Sequence, residues 1–454
     1  MISIPLALSL LITAIVLGGI RTFMNFQKGF GITNIFTLYY LFVLVDIFIP
    51  ALSMLLTGEM PLKGSHIPIF SREEVAYGSI IAVVSFAFIY VGYVLTISIF
   101  NKKSQASFRS VRLHYSRTIF LLIFMVTAFL ITQFDTINRL GGPVEFFLSM
   151  VKERRSVAFS NETVASEFIT TILGVSREIS MGLCAIIFAE RNQLGLRKSA
   201  WLILGLGLLL SLTSFYRGTI LIYGLMLIAS QQLTFQKYSL NVSNYQPEKF
   251  FKYIKRQKRK LINIFILILI LMTIFGSYRN VFYSKGWDNT MSQTEGFKKE
   301  FDRVIEGAGL YSIVNIVDSF PAKAPFLEGS SIINQALRFI PRSIYPNKPL
   351  TYGAVEITDA LGYPPTGDPV TPVGEAWANF GFLGIPLTTF FGFLFGIIEI
   401  MRFRGYFQYL YVTVGVTIVL EVSWFAFTGF MSWLPSVILF GLLIPFIVKT
   451  KRYS

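Results

Sequence analysis

Two arginines have the type and position expected of a phosphate-binding pair. Arg217 lies in the turn 214–218 (SFYRG) between two apolar runs, and Arg279 follows another apolar run. A guanidinium group is planar, permanently charged and carries a fork of N–H donors that matches phosphate oxygens. The pair is therefore a candidate to hold a diphosphate near the membrane surface. The alternative is that both side chains extend from helix ends to the interface, as arginine commonly does.

Glu375 is the candidate general base. It lies in the stretch TPVGEAWANFG, in which Thr371 can cap a helix that has proline at its first position. A carboxylate one turn into that helix could take a proton from a hydroxyl nucleophile, or could only compensate the helix dipole. Trp377, in the same stretch, is either an interfacial anchor or a platform on which a sugar ring stacks.

Cofactor and metal chemistry have little support in the sequence. The single cysteine, Cys184, lies inside an apolar run, and His66 and His114 lie in different loops. No glycine-rich phosphate loop or metalloprotease motif occurs. We expect no cofactor and no metal, although the acidic pair Glu73–Glu74 is a weak exception, and we do not expect ATP-driven transport by this chain alone.

The elements that position these residues are long apolar runs. Of 454 residues, 53% are hydrophobic and only 14% are charged, whereas soluble domains have about 25% charged residues. The apolar residues form eleven runs, each long enough to cross a hydrocarbon core of about 30 Å as a helix: 2–20, 34–56, 75–100, 118–133, 168–189, 200–215, 218–233, 261–277, 382–400, 409–427 and 430–448. The sequence predicts an all-α, polytopic membrane helix bundle of about eleven transmembrane helices.

The orientation follows from lysine and arginine in the short loops. Alternate loops and the C-terminal segment hold 23 basic residues, against seven in the other short loops. The basic set belongs in the cytoplasm, so we expect the N-terminus outside and the C-terminus inside. The same alternation explains the formal net charge of +15 without nucleic acid.

The chain divides into three parts around one long connection. An N-terminal bundle of eight spans (1–277) precedes a large external, periplasmic loop (278–381), and three spans (382–454) follow. Apolar residues at helical spacing predict short helices in the loop: Phe297, Phe301, Val304, Ala308 and Tyr311, then Ile333, Ala336, Leu337 and Ile340. Long structured loops are usually functional.

Ionisable residues also occur within the predicted spans, where each needs a cavity or a partner. These are Asp46, Arg177, Glu178 and Glu421. Arg177 and Glu178 are adjacent and project in different directions on a helix. We expect each to pair with another helix, with Asp46 and Glu421 as candidate partners of Arg177.

At these residues the chain resembles the Wzy-type polymerases of O-antigen and related oligosaccharide repeat units. Three features carry the resemblance: the turn 214–218, the loop sequence IPRSIYPNKP at 340–349, and TPVGEAWANFG at 371–381. The motifs cover about 35 residues, and the plan of many helices with a large external loop covers the whole chain.

The resemblance implies a metal- and nucleotide-independent glycosyltransferase of the bacterial inner membrane. It would move a growing glycan from undecaprenyl diphosphate to a lipid-linked repeat unit at the external face, in O-antigen, capsule or lipopolysaccharide synthesis. Its partners would be undecaprenyl-diphosphate-linked oligosaccharides, the bilayer, and a chain-length regulator and flippase of the same pathway, with no nucleic acid. It implies diphosphate binding by Arg217, Arg279, Arg338 and Arg342, and glycan or loop positioning by Tyr345, Lys348, Trp377 and Asn379.

Four other functions remain open. A purely structural membrane scaffold would not need arginine at span ends on the external side. A lipid-linked oligosaccharide flippase should line a central cavity with charges along several spans, whereas this chain concentrates its arginines at external span ends and in one large loop. A secondary transporter should show inverted repeats and broken helices at matching places in two halves, and the sequence shows neither of these. The related O-antigen ligases favour a loop histidine, which 278–381 lacks.

Overall fold

The computed structural model describes residues 4–27, 34–58, 70–104, 111–139, 141–142, 164–191, 194–196, 198–213, 217–242, 263, 266, 270, 308–337, 340, 344–347, 349, 353–362, 370–402 and 405–450. The helices of the first half are α1 (Ile4–Gln27), α2 (Ile35–Val43), a π-helical turn (Leu44–Phe48), α3 (Ile49–Thr57), α4 (Arg72–Ser104), α5 (Tyr115–Arg139), α6 (Val164–Glu190), α7 (Ala200–Leu212) and α8 (Arg217–Val242). Those of the second half are α9 (Ala308–Ser319), α10 (Ser330–Leu337), α11 (Ala354–Ala360), α12 (Thr371–Phe380), a 3₁₀ turn (Gly381–Leu383), α13 (Gly384–Leu387), α14 (Thr389–Met401), α15 (Phe407–Leu410), a π-helical turn (Tyr411–Gly415) and α16 (Val416–Ile447). The described part is all-helical apart from two three-residue strands, β1 (Val111–Leu113) and β2 (Val448–Thr450).

Several of these helices could span a membrane. Four helical stretches of the described residues are long and apolar enough: Ile4–Asn25, Ile35–Thr57, Arg72–Phe100 and Phe407–Ile447. A fifth results if Thr371–Leu387 and Thr389–Met401, which meet at 60°, form one broken span. The number of eleven and the external position of 278–381 stay predictions, and the predicted span 261–277 lies largely outside the described residues.

Large apolar side chains cover much of the outside of α1 and α5. Leu17 and Phe23 of α1, and Phe120 and Phe134 of α5, are each more than half exposed. In water such surfaces would be costly to leave open. They are the surfaces that a helix turns toward lipid.

The predicted short helices before residue 381 are present where the chain is described. The predicted spacings correspond to α9, which contains Ala308 and Tyr311, and to α10, which contains Ile333, Ala336 and Leu337. The helix after the predicted cap at Thr371 is α12, and α11 was not predicted. Phe297, Phe301 and Val304 lie outside the described residues. In α10 the buried face differs from the apolar one. Ile333 is 58% exposed, whereas Ser331 and Gln335 are fully buried.

One compact unit comprises residues 1–103, 301–400 and 418–433. Within it, the chain breaks after α12 and reverses through the short helix α13. Gly384 permits this close turn, because a Cβ there would lie 2.0 Å from the Ala376 carbonyl oxygen. The 381–383 turn begins at Gly381, whose φ of 56° lies in the left-handed region that glycine adopts without strain.

The same unit contains a second break, inside α16. The helical run Phe407–Ile447 has 41 residues and would be about 60 Å long if straight, roughly twice the hydrocarbon thickness. Ala426 interrupts it with φ 49° and ψ −126°. The chain folds back there, since a Cβ on Gly429 would lie 2.3 Å from the Glu421 carbonyl oxygen. The sequence had divided this run into two spans a few residues further on, at 427 and 430.

The other compact unit comprises residues 104–300, 401–417 and 434–454. Its two strands pair antiparallel, with Arg112 opposite Lys449. The pairing brings the segment before α5 next to the C-terminal segment, and the charge pattern had assigned both to one side. At the end of α6, Glu190 accepts a hydrogen bond from the Tyr409 hydroxyl at 2.9 Å.

Candidate functional site

Glu375 is buried where α12 meets the break in α16. Its side chain is 2% exposed, and Oε2 accepts a hydrogen bond from the Phe427 backbone N–H at 2.8 Å. That N–H is free for a side chain because the helix is interrupted at the preceding residue, Ala426. Among the described residues, Oε1 has no hydrogen-bond partner. One carboxylate oxygen is thus held at a helix start, where negative charge is favoured, and the other is open.

Asn379, one turn after Glu375 on α12, fastens the chain before α10. Its Oδ1 accepts from the Gly329 N–H at 3.0 Å and the Ser331 hydroxyl at 3.2 Å. Its Nδ2 donates to Ser331 Oγ at 2.8 Å and to the Glu375 carbonyl oxygen at 2.7 Å. These bonds use both donors and both acceptor positions of the amide. Asn379 therefore acts here as a structural residue, and the bonds leave no group for the glycan contact that the resemblance implied.

Gln335 lies one turn after Ser331 on α10 and is fully buried. Neither Oε1 nor Nε2 has a hydrogen-bond partner among the described residues. A Cβ placed on Gly353 would lie 2.9 Å from Gln335 Oε1 and 2.1 Å from Thr428 Oγ1, so both oxygens face the same spot. Thr428 Oγ1 also accepts from the Ala354 N–H at 2.9 Å. We call Ser331, Gln335, Glu375 and Asn379 the buried polar cluster; Thr428 beside it is partly exposed.

Strained backbone surrounds the buried polar cluster. Three residues other than glycine have positive φ among the described residues: Glu328 (49°), Thr371 (56°) and Ala426 (49°). Glu328 donates its N–H to the Asn379 carbonyl oxygen, Thr371 starts the helix that carries Glu375, and Ala426 precedes Phe427. Such conformations cost about 1–3 kcal/mol each and concentrate at functional sites.

The predicted start of α12 is confirmed. The Gly374 N–H donates to Thr371 Oγ1 at 3.2 Å, which is the capping bond expected of a threonine before Pro372. The predicted position of Glu375 one turn into the helix is also confirmed. Its burial was not foreseen.

Trp377 is a core residue in this structure. It is 3% exposed, its Nε1 donates to the Phe320 carbonyl oxygen at 3.1 Å, and its ring meets the edges of Tyr77 and Phe382. A sugar could stack on it only if these contacts opened. Tyr345, by contrast, is exposed.

The predicted diphosphate pocket falls mainly on undescribed residues. Arg217 is the first residue of α8, and its side chain is outside the described part. Arg279, Arg338, Arg342 and Lys348 also lie outside the described residues. The convergence of these basic groups stays a prediction.

The structure describes the surroundings of three charged residues in the predicted spans: Asp46, Arg177 and Glu178. The Asp46 carboxylate faces the start of α9, because a Cβ on Gly309 would lie 2.3 Å from its Oδ2. Arg177 Nε donates to Glu178 Oε1 at 2.9 Å, and Nη2 also contacts that oxygen. The expectation that Arg177 and Glu178 each pair with another helix is therefore wrong, because the long guanidinium side chain reaches along its own helix.

Ser331, Gln335 and Thr428 are the site residues that the sequence did not reveal. The spacing of Ser331 and Gln335 by one helical turn was the available signal. This spacing did not point to a buried site, because the apolar residues of the same helix predicted burial of the opposite face.

Comparison with models of known protein families, with curated proteins and with solved structures finds no match to this chain.

Proposed function

We propose that the chain is a membrane-embedded polysaccharide polymerase, a glycosyltransferase that moves a glycan from undecaprenyl diphosphate to a lipid-linked oligosaccharide repeat unit. The observation that carries the proposal is Glu375, with one carboxylate oxygen held by the Phe427 N–H and the other without a partner among the described residues. A base needs this arrangement, since it must be fixed in place and still have an oxygen to receive a proton. The resemblance of 214–218, 340–349 and 371–381 to the Wzy-type family gives the substrate class.

The chemistry divides between two sets of residues. Arg217, Arg279, Arg338 and Arg342 would hold the diphosphate and stabilise the charge that develops as it leaves. Glu375 would accept the proton of the acceptor hydroxyl late in the attack. This scheme requires neither a metal ion nor a nucleotide.

The proposed location is the external face of the bacterial cytoplasmic membrane, with the N-terminus outside and the C-terminus inside. Apolar helices that could span a membrane support the membrane part, and the loop charges support the orientation. The proposed partners are lipid-linked oligosaccharides, a flippase and a chain-length regulator of the same pathway.

The test is direct. Purified full-length protein in detergent is incubated with undecaprenyl-diphosphate-linked repeat units, with no nucleotide and with chelator present. Polymer should appear as a ladder of increasing length. If the wild-type protein leaves the repeat units unextended, the proposal fails.

A lipid-linked oligosaccharide flippase is the second candidate, and a specific observation favours it. Thr371–Leu387 and Thr389–Met401 meet at 60° and can form one broken span, although the sequence showed no broken helix. Discontinuous helices are typical of transporters, where half-helix ends face the substrate. The same lipid-linked repeat units in sealed vesicles separate the two functions, because a flippase moves them across the bilayer without lengthening the glycan.

A further inference from the structure

The side chains of Gln335 and Glu375 offer three buried polar atoms that no described residue binds. These are Glu375 Oε1, Gln335 Oε1 and Gln335 Nε2. Burying an amide or a carboxylate without partners is costly, and buried polar groups are almost always paired. Three unpaired atoms in two side chains that face the same segment of α16 therefore indicate a ligand.

The two side chains converge on the same short segment of α16. Ser331 and Asn379 hydrogen-bond each other, and Gln335 and Glu375 each lie one helical turn from that contact, on α10 and α12. Glu375 reaches the Phe427 N–H, and Gln335 Oε1 faces Thr428 Oγ1 across Gly353. Phe427 and Thr428 are themselves partly exposed. The buried side chains of Gln335 and Glu375 therefore lie close to the surface of the protein.

The donors and acceptors select the ligand. Glu375 Oε1 and Gln335 Oε1 accept hydrogen bonds, and the Gln335 Nε2 amide group donates them. A metal cation would leave the amide donor unused, and an anion would be repelled by the carboxylate. A hydroxyl group both donates and accepts, and neighbouring hydroxyls of a sugar can use all three atoms.

We propose that Gln335 and Glu375 together form the subsite for the acceptor sugar, with the reacting hydroxyl on Glu375 Oε1 and an adjacent sugar oxygen on the Gln335 amide. This inference rests on the proposed function. In the reaction the hydroxyl oxygen bonds to the anomeric carbon as the bond from that carbon to the diphosphate oxygen breaks. The diphosphate leaves with the electron pair, and the proton passes to Glu375 Oε1. Gln335 binds the acceptor and takes no part in the proton transfer.

The decisive variant is Gln335→Met, which keeps the shape of the side chain and removes both polar atoms. Because the amide has no protein partner, its loss should leave the Tm unchanged or raise it. Binding should weaken, since one or two hydrogen bonds to the acceptor are lost. We expect the KM for lipid-linked repeat units to rise about tenfold, with kcat changed much less. Ile333→Ala, on the exposed face of the same helix, is the matched control and should change neither constant.

Purified full-length variants are compared in the polymerisation assay and in thermal unfolding. A raised KM with an unchanged or raised Tm supports the subsite. An unchanged KM overturns it, and so does a lowered Tm, because that would give the amide a structural role. Failure of the wild-type protein itself to form polymer would overturn the proposed function and this subsite with it, whereas an active wild type with a normal Gln335→Met variant overturns the subsite alone.

Discussion

Replacing Asn379 by alanine tests whether this side chain supports the site or contacts the glycan. In the structure its amide makes four hydrogen bonds: three join α12 to Gly329 and to Ser331 at the start of α10, and one stays within α12. The substitution would leave the buried Gly329 N–H and the buried Ser331 hydroxyl without that partner. Each stranded buried group costs about 1–3 kcal/mol, so the free energy of unfolding should fall by about 2–6 kcal/mol.

This loss is a large fraction of the total stability of a typical domain, which is about 5–15 kcal/mol. It is measured by titrating the purified protein in mixed micelles with a denaturing detergent and following circular dichroism. Asn334→Ala is the matched control. Asn334 donates one hydrogen bond, to Glu356 Oε2 at 3.0 Å, from a partly buried position, and its loss should cost about 1 kcal/mol.

The opposite pattern would refute the reasoning. If Asn379→Ala unfolds within about 0.5 kcal/mol of the wild type and yet forms no polymer, the hydrogen bonds are not what Asn379 contributes. The glycan contact implied by the family resemblance would then be the better explanation.

Three further predictions concern the base, the arginines and the tight turn. Glu375→Gln keeps an oxygen for the Phe427 N–H, so it should fold normally but extend the glycan about 100-fold more slowly or worse; an unchanged initial rate removes Glu375 from the mechanism. Arg217→Ala and Arg279→Ala should abolish polymer extension while expression and membrane insertion persist, and wild-type glycan ladders from complemented cells would contradict this. Gly384→Ala should lower the Tm because its Cβ would lie 2.0 Å from a backbone oxygen. Gly441→Ala, where a Cβ meets nothing within 4 Å, should be neutral or stabilising by about 1 kcal/mol, and equal unfolding temperatures for the two glycine variants would show that the turn is not tightly packed.

Much of the helical framework could be predicted because apolar length is a local property. The runs 2–20, 34–56 and 75–100 correspond to α1, to α2 with α3, and to α4. The cap at Thr371 was likewise readable, because threonine, proline and the following turn are neighbours in sequence.

The burial of α10 could not be read in the same way. Its apolar residues predicted that their own face of the helix points inward. The buried face is the other one, which carries Ser331 and Gln335. The reason is a partner 48 residues away, since the Ser331 hydroxyl is matched by the Asn379 amide. A periodicity rule assumes that the inside is apolar, and a buried polar partner reverses it.

The sequence by itself determined a largely helical framework with apolar stretches that could span a membrane, a start for α12 at Thr371, and Glu375 as a carboxylate one turn further on. These follow from the order of neighbouring residues and the cost of exposing apolar surface. Only the tertiary structure decided that α16 breaks at Ala426, that the freed Phe427 N–H holds Glu375, and that Gln335 Oε1 faces Thr428 Oγ1 across Gly353. Those contacts link segments far apart in the chain, and no local pattern of residue types specifies which distant groups will meet.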